Sequence, residues 1–238
     1  MPWGNAKRFY KEAGYKAAGG GFALTLDGRP ANTPEGNPLV LVSERLARAV
    51  AREWAGQDGD IRAESMPITG LACTAIDRVK NGRGAIIDHT LKYAPTDLLC
   101  YRADEPQELK RHQQARWQPL LDWAAEKFGA RLAATEGIVP RDQPRAALEN
   151  LRRAVEALDD LQLTAVAAVT QASGSLIIGL ALVHGHITAG EAAAASQLDE
   201  TWHNEKWGGD PEQAGRLEAL KMEIAAAAAL VELTDDFI

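Results

Sequence analysis

The chain reads as an α+β protein: a small N-terminal antiparallel β-meander followed by a larger all-helical domain. Two observations predict this. Alternation of apolar and polar residues at Phe22-Ala23-Leu24-Thr25-Leu26 runs into Asp27-Gly28, a dipeptide that supplies the positive φ angles of a tight hairpin turn. After Ser43 the apolar period changes from two to 3.6, with Leu46, Val50 and Trp54 at i, i+4 and i+8.

In the β-part, Lys7-Arg8-Phe9-Tyr10 and Tyr15-Lys16-Ala17 are expected as strands flanking a turn at Ala13-Gly14. Arg29 to Thr33 should return antiparallel to the Phe22–Leu26 strand, and Pro34-Glu35-Gly36-Asn37 should turn the chain into Leu39–Val42. Some forty residues of sheet are too few to be stable alone, so one face must pack on the helical part of the chain. The expected division is a β-rich domain over residues 1–43 and a helical domain over 44–238.

Ser43 is the expected N-cap of the first helix, in which Trp54 should anchor the core. Met66-Pro67 opens a second, with Ile68, Leu71, Ala75, Ile76 and Val79 as its apolar stripe. A third covers Ile86 to Tyr93. A longer one opens at Asp104, has Trp117, Leu120, Leu121, Ala124 and Phe128 on one face, and stops at Gly129. Asp159 should start an apolar helix closed by Gly185. Thr188 with Glu191 forms a capping box for a helix reaching about Lys206, and a last helix spans Glu212 to Leu233.

With 238 residues and 46% hydrophobic positions the chain can bury a sizeable core without a disulfide or metal staple. Cys73 and Cys100 lie in segments that read as buried, and no CxxC pair is present, so both are expected as reduced core residues. A net charge of −7 repels phosphate backbones and anionic lipid, which disfavours nucleic acid and membrane surfaces as partners. The apolar stretch Leu161–Val183 carries Gln162, Thr164, Thr170, Gln171, Ser173 and Ser175, too many polar groups for a membrane span. The opening Met1-Pro2-Trp3-Gly4-Asn5 shows neither a signal-peptide nor a transit-peptide pattern.

No motif makes a complete chemical site. Gly19-Gly20-Gly21 precedes a strand rather than a helix, so it reads as a hairpin connection and not a phosphate loop. Glu200-Thr-Trp-His203 has the spacing of a carboxylate-bridged di-metal helix but occurs once, and His184-Gly-His186 has no third ligand. Ser173-Gly174-Ser175 lacks the nucleophile-elbow frame and reads as a mid-helix run of small residues that admits a neighbouring helix. The expectation is no catalytic, cofactor or metal residues.

Asp199 to Asp210 has the composition of a protein-binding patch. If Ala195, Leu198 and Trp202 form the buried stripe, Glu200 lies about 200° around the helix from Leu198 and faces solvent, with His203 and Trp207 following it. Trp207, beside Lys206 and ahead of Gly208, is either an exposed hot spot or a helix-end plug folded back on the body.

The chain also resembles a known family, the ATP synthase assembly factors that chaperone the alpha subunit of the catalytic head. The resemblance rests on Lys7-Arg8-Phe9-Tyr10; Leu26-Asp27-Gly28-Arg29 with Thr33-Pro34; Leu46-Ala47 with Glu53-Trp54; Met66-Pro67 through Ala75-Ile76-Asp77; Thr96-Asp97-Leu98-Leu99-Cys100-Tyr101; and Leu198-Asp199-Glu200 with Lys206-Trp207-Gly208. It implies a non-enzymatic protein without cofactors that binds the free alpha subunit until beta replaces it. It further implies a helical binding surface, here Glu200 and Trp207 with their neighbours Lys206 and Gly208, to which the helical spacing adds His203. A bacterial cytoplasmic member, monomeric when free, is expected; eukaryotic relatives work in the mitochondrial matrix. The competing readings are an enzyme with Glu200 and His203 as acid and base, and a permanent adaptor subunit.

Overall fold

A computed structural model describes residues 6–137 and 141–234. Met1–Asn5, the segment without a leader pattern, lies outside the described residues. A four-stranded antiparallel sheet at the N-terminal end is followed by a mostly helical chain, the α+β class expected. The chain forms two compact units, Met1–Arg83 with Ala229–Ile238, and Gly84–Ala228.

In the first unit, β1 (Ala13–Ala18) and β2 (Gly21–Leu26) pair from Ala13↔Leu26 to Ala18↔Gly21. Gly19 and Gly20, both at positive φ, make the tight connection between them. β3 (Arg29–Pro30) and β4 (Val40–Leu41) take opposite ends of the other edge of β2. Asp27 and Gly28 turn the chain with φ of 49° and 75°. Gly21 is required by packing: a Cβ there would sit 2.4 Å from the carbonyl oxygen of Leu41.

The entry to the sheet differs from expectation. Ala13-Gly14 opens β1 instead of turning the chain, and Lys7 forms only an isolated bridge with Asp60. The reason is Arg8, whose guanidinium donates to the carbonyls of Tyr10, Lys11 and Gln57. The backbone of this segment bonds instead to residues 59–61, Arg8 N–H to the Gly59 carbonyl at 2.7 Å and Ile61 N–H to the Ala6 carbonyl at 2.8 Å, and the Arg8 side chain fixes the rest.

α1 (Glu44–Ala55) begins at Ser43, whose hydroxyl accepts from the Leu46 N–H at 3.1 Å and also donates to the Leu233 carbonyl. Leu46, Val50 and Trp54 are buried as their spacing predicts, and α1 packs on β1 and β2. The Tyr10 hydroxyl donates to the Trp54 carbonyl at 2.7 Å.

α2 (Pro67–Thr74) comes next, its free N–H groups at Ile68 and Thr69 held by the Glu53 carboxylate at 2.9 and 2.7 Å. Burial pushes the Glu53 carboxyl above its ordinary range. The expected stripe is only half correct: Ala75 and Val79 are buried, but Ile68, Leu71 and Ile76 are half-buried and Thr69, Ala72, Cys73 and Asp77 point inward. A π-turn over Ala75–Val79 widens the helix and shifts the phase. It buries Asp77, which accepts from Thr33 Oγ1 at 2.6 Å and Asn37 Nδ2 at 2.8 Å, pinning the Pro34–Asn37 turn.

These contacts place α1, α2 and the π-turn with the strands, so this compact unit reaches Arg83 where the sequence division falls at residue 43. The apolar face of so small a sheet requires helices to cover it.

α3 (Lys80–Leu91), which is non-helical at Gly82, leads into the second unit. There the chain continues through β5 (Tyr101–Arg102), α4 (Gln107–Phe128) and β6 (Thr135–Glu136). Next come α5 (Arg145–Glu156), α6 (Asp160–Ser173), α7 (Leu176–Val183), α8 (Ala189–Ser196), α9 (Leu198–Trp207) and α10 (Pro211–Glu232). As expected, Gly129 ends α4 in the left-handed conformation, Asp159 starts α6 and a capping box at Thr188 starts α8; Asp159 and Gln162 form a second capping box that was not anticipated. The two-residue parallel pair β5–β6 and the whole of α5 were not anticipated. The signal for α5 is Ala147, Leu151 and Val155 at i, i+4 and i+8, all three buried.

Two helices expected as continuous are each broken. Gly174 adopts φ 73° and closes α6, and Ser175 caps α7 by accepting from the Ile178 N–H. The Ser173-Gly174-Ser175 run is therefore a corner and not the middle of a helix. The cause is remote: Asp97, fully buried, accepts from Ser175 Oγ at 2.7 Å, Ile177 N at 3.0 Å and Leu99 N at 3.1 Å. The close helix approach foreseen at that run occurs at Gly179 instead, where a Cβ would sit 2.9 Å from Thr170 Oγ1 and 3.0 Å from the Val166 carbonyl. The helix from Thr188 likewise stops at Gln197, whose buried side chain donates to the Leu217 carbonyl, and restarts as α9. Cys73 and Cys100 are free and buried, and burial pushes each thiol up to about 12.

Candidate partner-binding site

All five residues singled out from the sequence fall on α9 and its C-cap, within the second unit. Leu198 and Trp202 are the buried positions of the helix, and Glu200, His203, Lys206, Trp207 and Gly208 are all exposed. The phase that placed Glu200 toward solvent is the one observed. The Glu200 carboxylate makes no hydrogen bond or ion pair among the described residues, so its charge is available to a partner.

Trp207 resolves the choice left open by the sequence. It is 69% exposed and does not plug the helix end. Its ring meets Trp202 edge-on at 5.3 Å and lies against His203 at 5.1 Å. The three rings form one aromatic ridge, fixed at its base by the buried Trp202. His203 Nδ1 lies 2.6 Å from the Asp199 carbonyl, which holds the ring in place. Lys206 reaches back to Glu108 on α4 at 2.9 Å and sits 5.6 Å above the Trp202 ring, so its ammonium is partly committed inside the protein. Gly208, at φ 81°, ends α9 directly after the ridge, a conformation a side chain would strain.

The helix is anchored from below. Gln113 on α4 donates to the Asp199 carboxylate at 2.8 Å and accepts from the Ala103 N–H at 2.7 Å, while Trp117 Nε1 donates to the Ala195 carbonyl at 2.8 Å. Beside them lies Arg102, which sequence reasoning missed because a single Arg on a two-residue strand carries no pattern. It is 5% exposed, with its guanidinium 5.1 Å over the Trp117 ring and none of its nitrogens hydrogen-bonded among the described residues. Burial lowers its pKa, with Cys100 and Asp199 opposing that shift.

The other motifs resolve into packing. His186 stacks on Trp123 at 4.8 Å, and His184 tilts against Phe128 at 5.4 Å, its pKa lowered by burial. Among the described residues no group of three or more His, Cys, Asp or Glu could hold a metal ion, and no helix is long and apolar enough to cross a membrane.

A braced helix with an exposed aromatic ridge and an uncommitted carboxylate has the composition common in protein-binding patches. Comparison with known proteins specifies the class further. Residues 7–125 match the family model described as ATP12 chaperone protein. The crystal structure of Atp12 from Paracoccus denitrificans is 39% identical and superposes with a TM-score of 0.90 over 97% of this chain and 99% of that one. The Atu1473 protein of Agrobacterium tumefaciens is 37% identical with a TM-score of 0.90, over 96% of this chain and 86% of that one. Mitochondrial atp12 of Schizosaccharomyces pombe is 26% identical over 250 residues, covering 99% of this chain and 86% of that protein. The chain belongs to the ATP12 chaperone family, whose members serve ATP synthase assembly.

Proposed function

We propose that this chain binds the free alpha subunit of the F-type ATP synthase and keeps it from aggregating until it pairs with beta, using the exposed face of α9. The observation that carries the reading is the ridge at Trp207 with the solvent-facing Glu200 on the same helix, in a chain of this chaperone family. An unpaired subunit of an obligate complex exposes apolar interface, and an exposed aromatic on a rigid base is suited to cover such a surface. The acidic surface of the chaperone, net −7, raises the solubility of the pair and discourages self-association. Release occurs if the alpha–beta contact is stronger than the alpha–chaperone contact. In this reading the free chaperone is a monomer in a bacterial cytoplasm and performs no chemistry on its client.

The test separates binding from folding. Glu200→Lys reverses an exposed charge that the fold does not use, so the melting curve should shift by less than about 0.5 kcal/mol in stability. If the carboxylate meets a basic group of the client, the same change costs several kcal/mol of binding. Co-expression with the alpha subunit should then yield little soluble complex from a normally folded variant. Undiminished capture by both Glu200→Lys and Trp207→Ala would remove α9 from the site.

A further inference from the structure

Arg102, beneath α9, is a buried charge without a partner. Its side chain rests on the Trp117 ring, and none of its nitrogens meets an acceptor among the described residues. Such a group is costly to bury, and pairing with a carboxylate is what relieves it. The carboxylate whose charge acts on it is Asp199, in the first turn of α9. The two nevertheless form no ion pair among the described residues. One oxygen of Asp199 takes the Gln113 amide at 2.8 Å, and the other accepts no hydrogen bond there.

Gln113 explains the separation. Its carboxamide accepts from the Ala103 N–H at 2.7 Å while donating to Asp199, so it stands as a neutral spacer between the Tyr101–Arg102 strand and α9. A neutral amide suffices while Asp199 is only half-buried, because water solvates the rest of its charge. That balance changes when another surface covers the helix. Coulomb attraction rises several-fold as water is removed, and a guanidinium then outcompetes an amide as the partner of a carboxylate. The helix has the means to adjust. It is ten residues long, set off from α8 by the break at Gln197 and closed by Gly208 at φ 81°, and no side chain caps its first turn.

We propose that Arg102 is a positioning residue for client binding: when the partner covers α9, the Asp199 carboxylate exchanges the Gln113 amide for the Arg102 guanidinium, and the new pair locks the helix under the aromatic ridge. The inference rests on the α9 reading of the client site. It makes the buried guanidinium a counter-charge held in reserve for the dry, bound state, which accounts for its being unpaired in the free chain.

The experiment is a double-mutant cycle with Arg102→Met and Asp199→Asn. Each variant is co-expressed with a limiting amount of the alpha subunit and a differently tagged parent chain, so that the share captured reads relative affinity. Each single variant should lose about tenfold or more, and the double variant no more than the weaker of the two. Urea unfolding of the free chains should show the two effects adding, with Arg102→Met no less stable than the parent, because the pair is absent there. Losses that multiply in the double variant, or coupling as strong in the free chain as in the complex, overturn the proposal. Capture by Arg102→Met equal to the parent's defeats this inference alone. A parent that captures no alpha subunit defeats the proposed function, and this inference with it.

Discussion

Replacing Asp97 by Asn probes the most heavily constrained polar group of the helical unit. The carboxylate is fully buried and takes hydrogen bonds from Ser175 Oγ, Ile177 N and Leu99 N. Burial dominates these donors and raises its pKa from 3.8 to about 6. Between those values the folded chain keeps a proton that the unfolded chain has released. The group's stabilising contribution is therefore complete below 3.8 and declines as pH rises through about 6. The loss comes to about 3 kcal/mol. An amide does not titrate, and it turns an NH₂ toward one of the donors that the carboxylate had satisfied, costing about 1–3 kcal/mol by itself. Asp97→Asn should thus be less stable than the parent at acid pH by about 1–3 kcal/mol, and the difference should shift by about 2–3 kcal/mol in the variant's favour from about pH 4 to about pH 7, closing the gap. Urea unfolding of both proteins across that range measures the gap directly and cancels every other titrating group. A gap that widens as pH rises would refute the reasoning, because it would mean that the donors outweigh burial and hold the folded pKa below 3.8. A constant gap would show that the group does not titrate there.

Two further outcomes concern packing. Trp54→Ala empties the junction of α1 with the sheet and should cost about 3–5 kcal/mol in a thermal or urea melt; an unchanged melting temperature would contradict its burial. Arg102→Met exchanges a buried guanidinium for an apolar chain that can still lie on Trp117, and should raise stability by about 1 kcal/mol or more. A lower melting temperature would show instead that Arg102 is paired with Asp199.

The candidate face was legible for a simple reason. Once Leu198 and Trp202 are inward, helical geometry alone puts Glu200 outward, and no distant residue changes that phase. Trp207 was not decided in this way, since the last residue of a helix can turn either to solvent or to the body. Only the Gly208 cap and the packing of Trp202 and His203 fixed it outside. Arg102 was invisible because its significance lies in which groups surround it and not in any spacing along the chain.

The same division runs through the fold. Local rules determined the Asp27-Gly28 hairpin, the capping boxes at Asp159 and Thr188, the Gly129 stop and the Leu46–Val50–Trp54 stripe. Each depends on residues close together in the chain, so a window of sequence contains all the competing energies. The corners at Gly174 and Gln197 were decided elsewhere. Asp97 meets Ser175 and Ile177 across 78 and 80 residues, and Gln197 donates to Leu217 across 20. An apolar run such as Leu161–Val183 would continue as helix on propensity alone. A buried carboxylate that must be satisfied outweighs that preference, and its position relative to the run exists only in the folded chain.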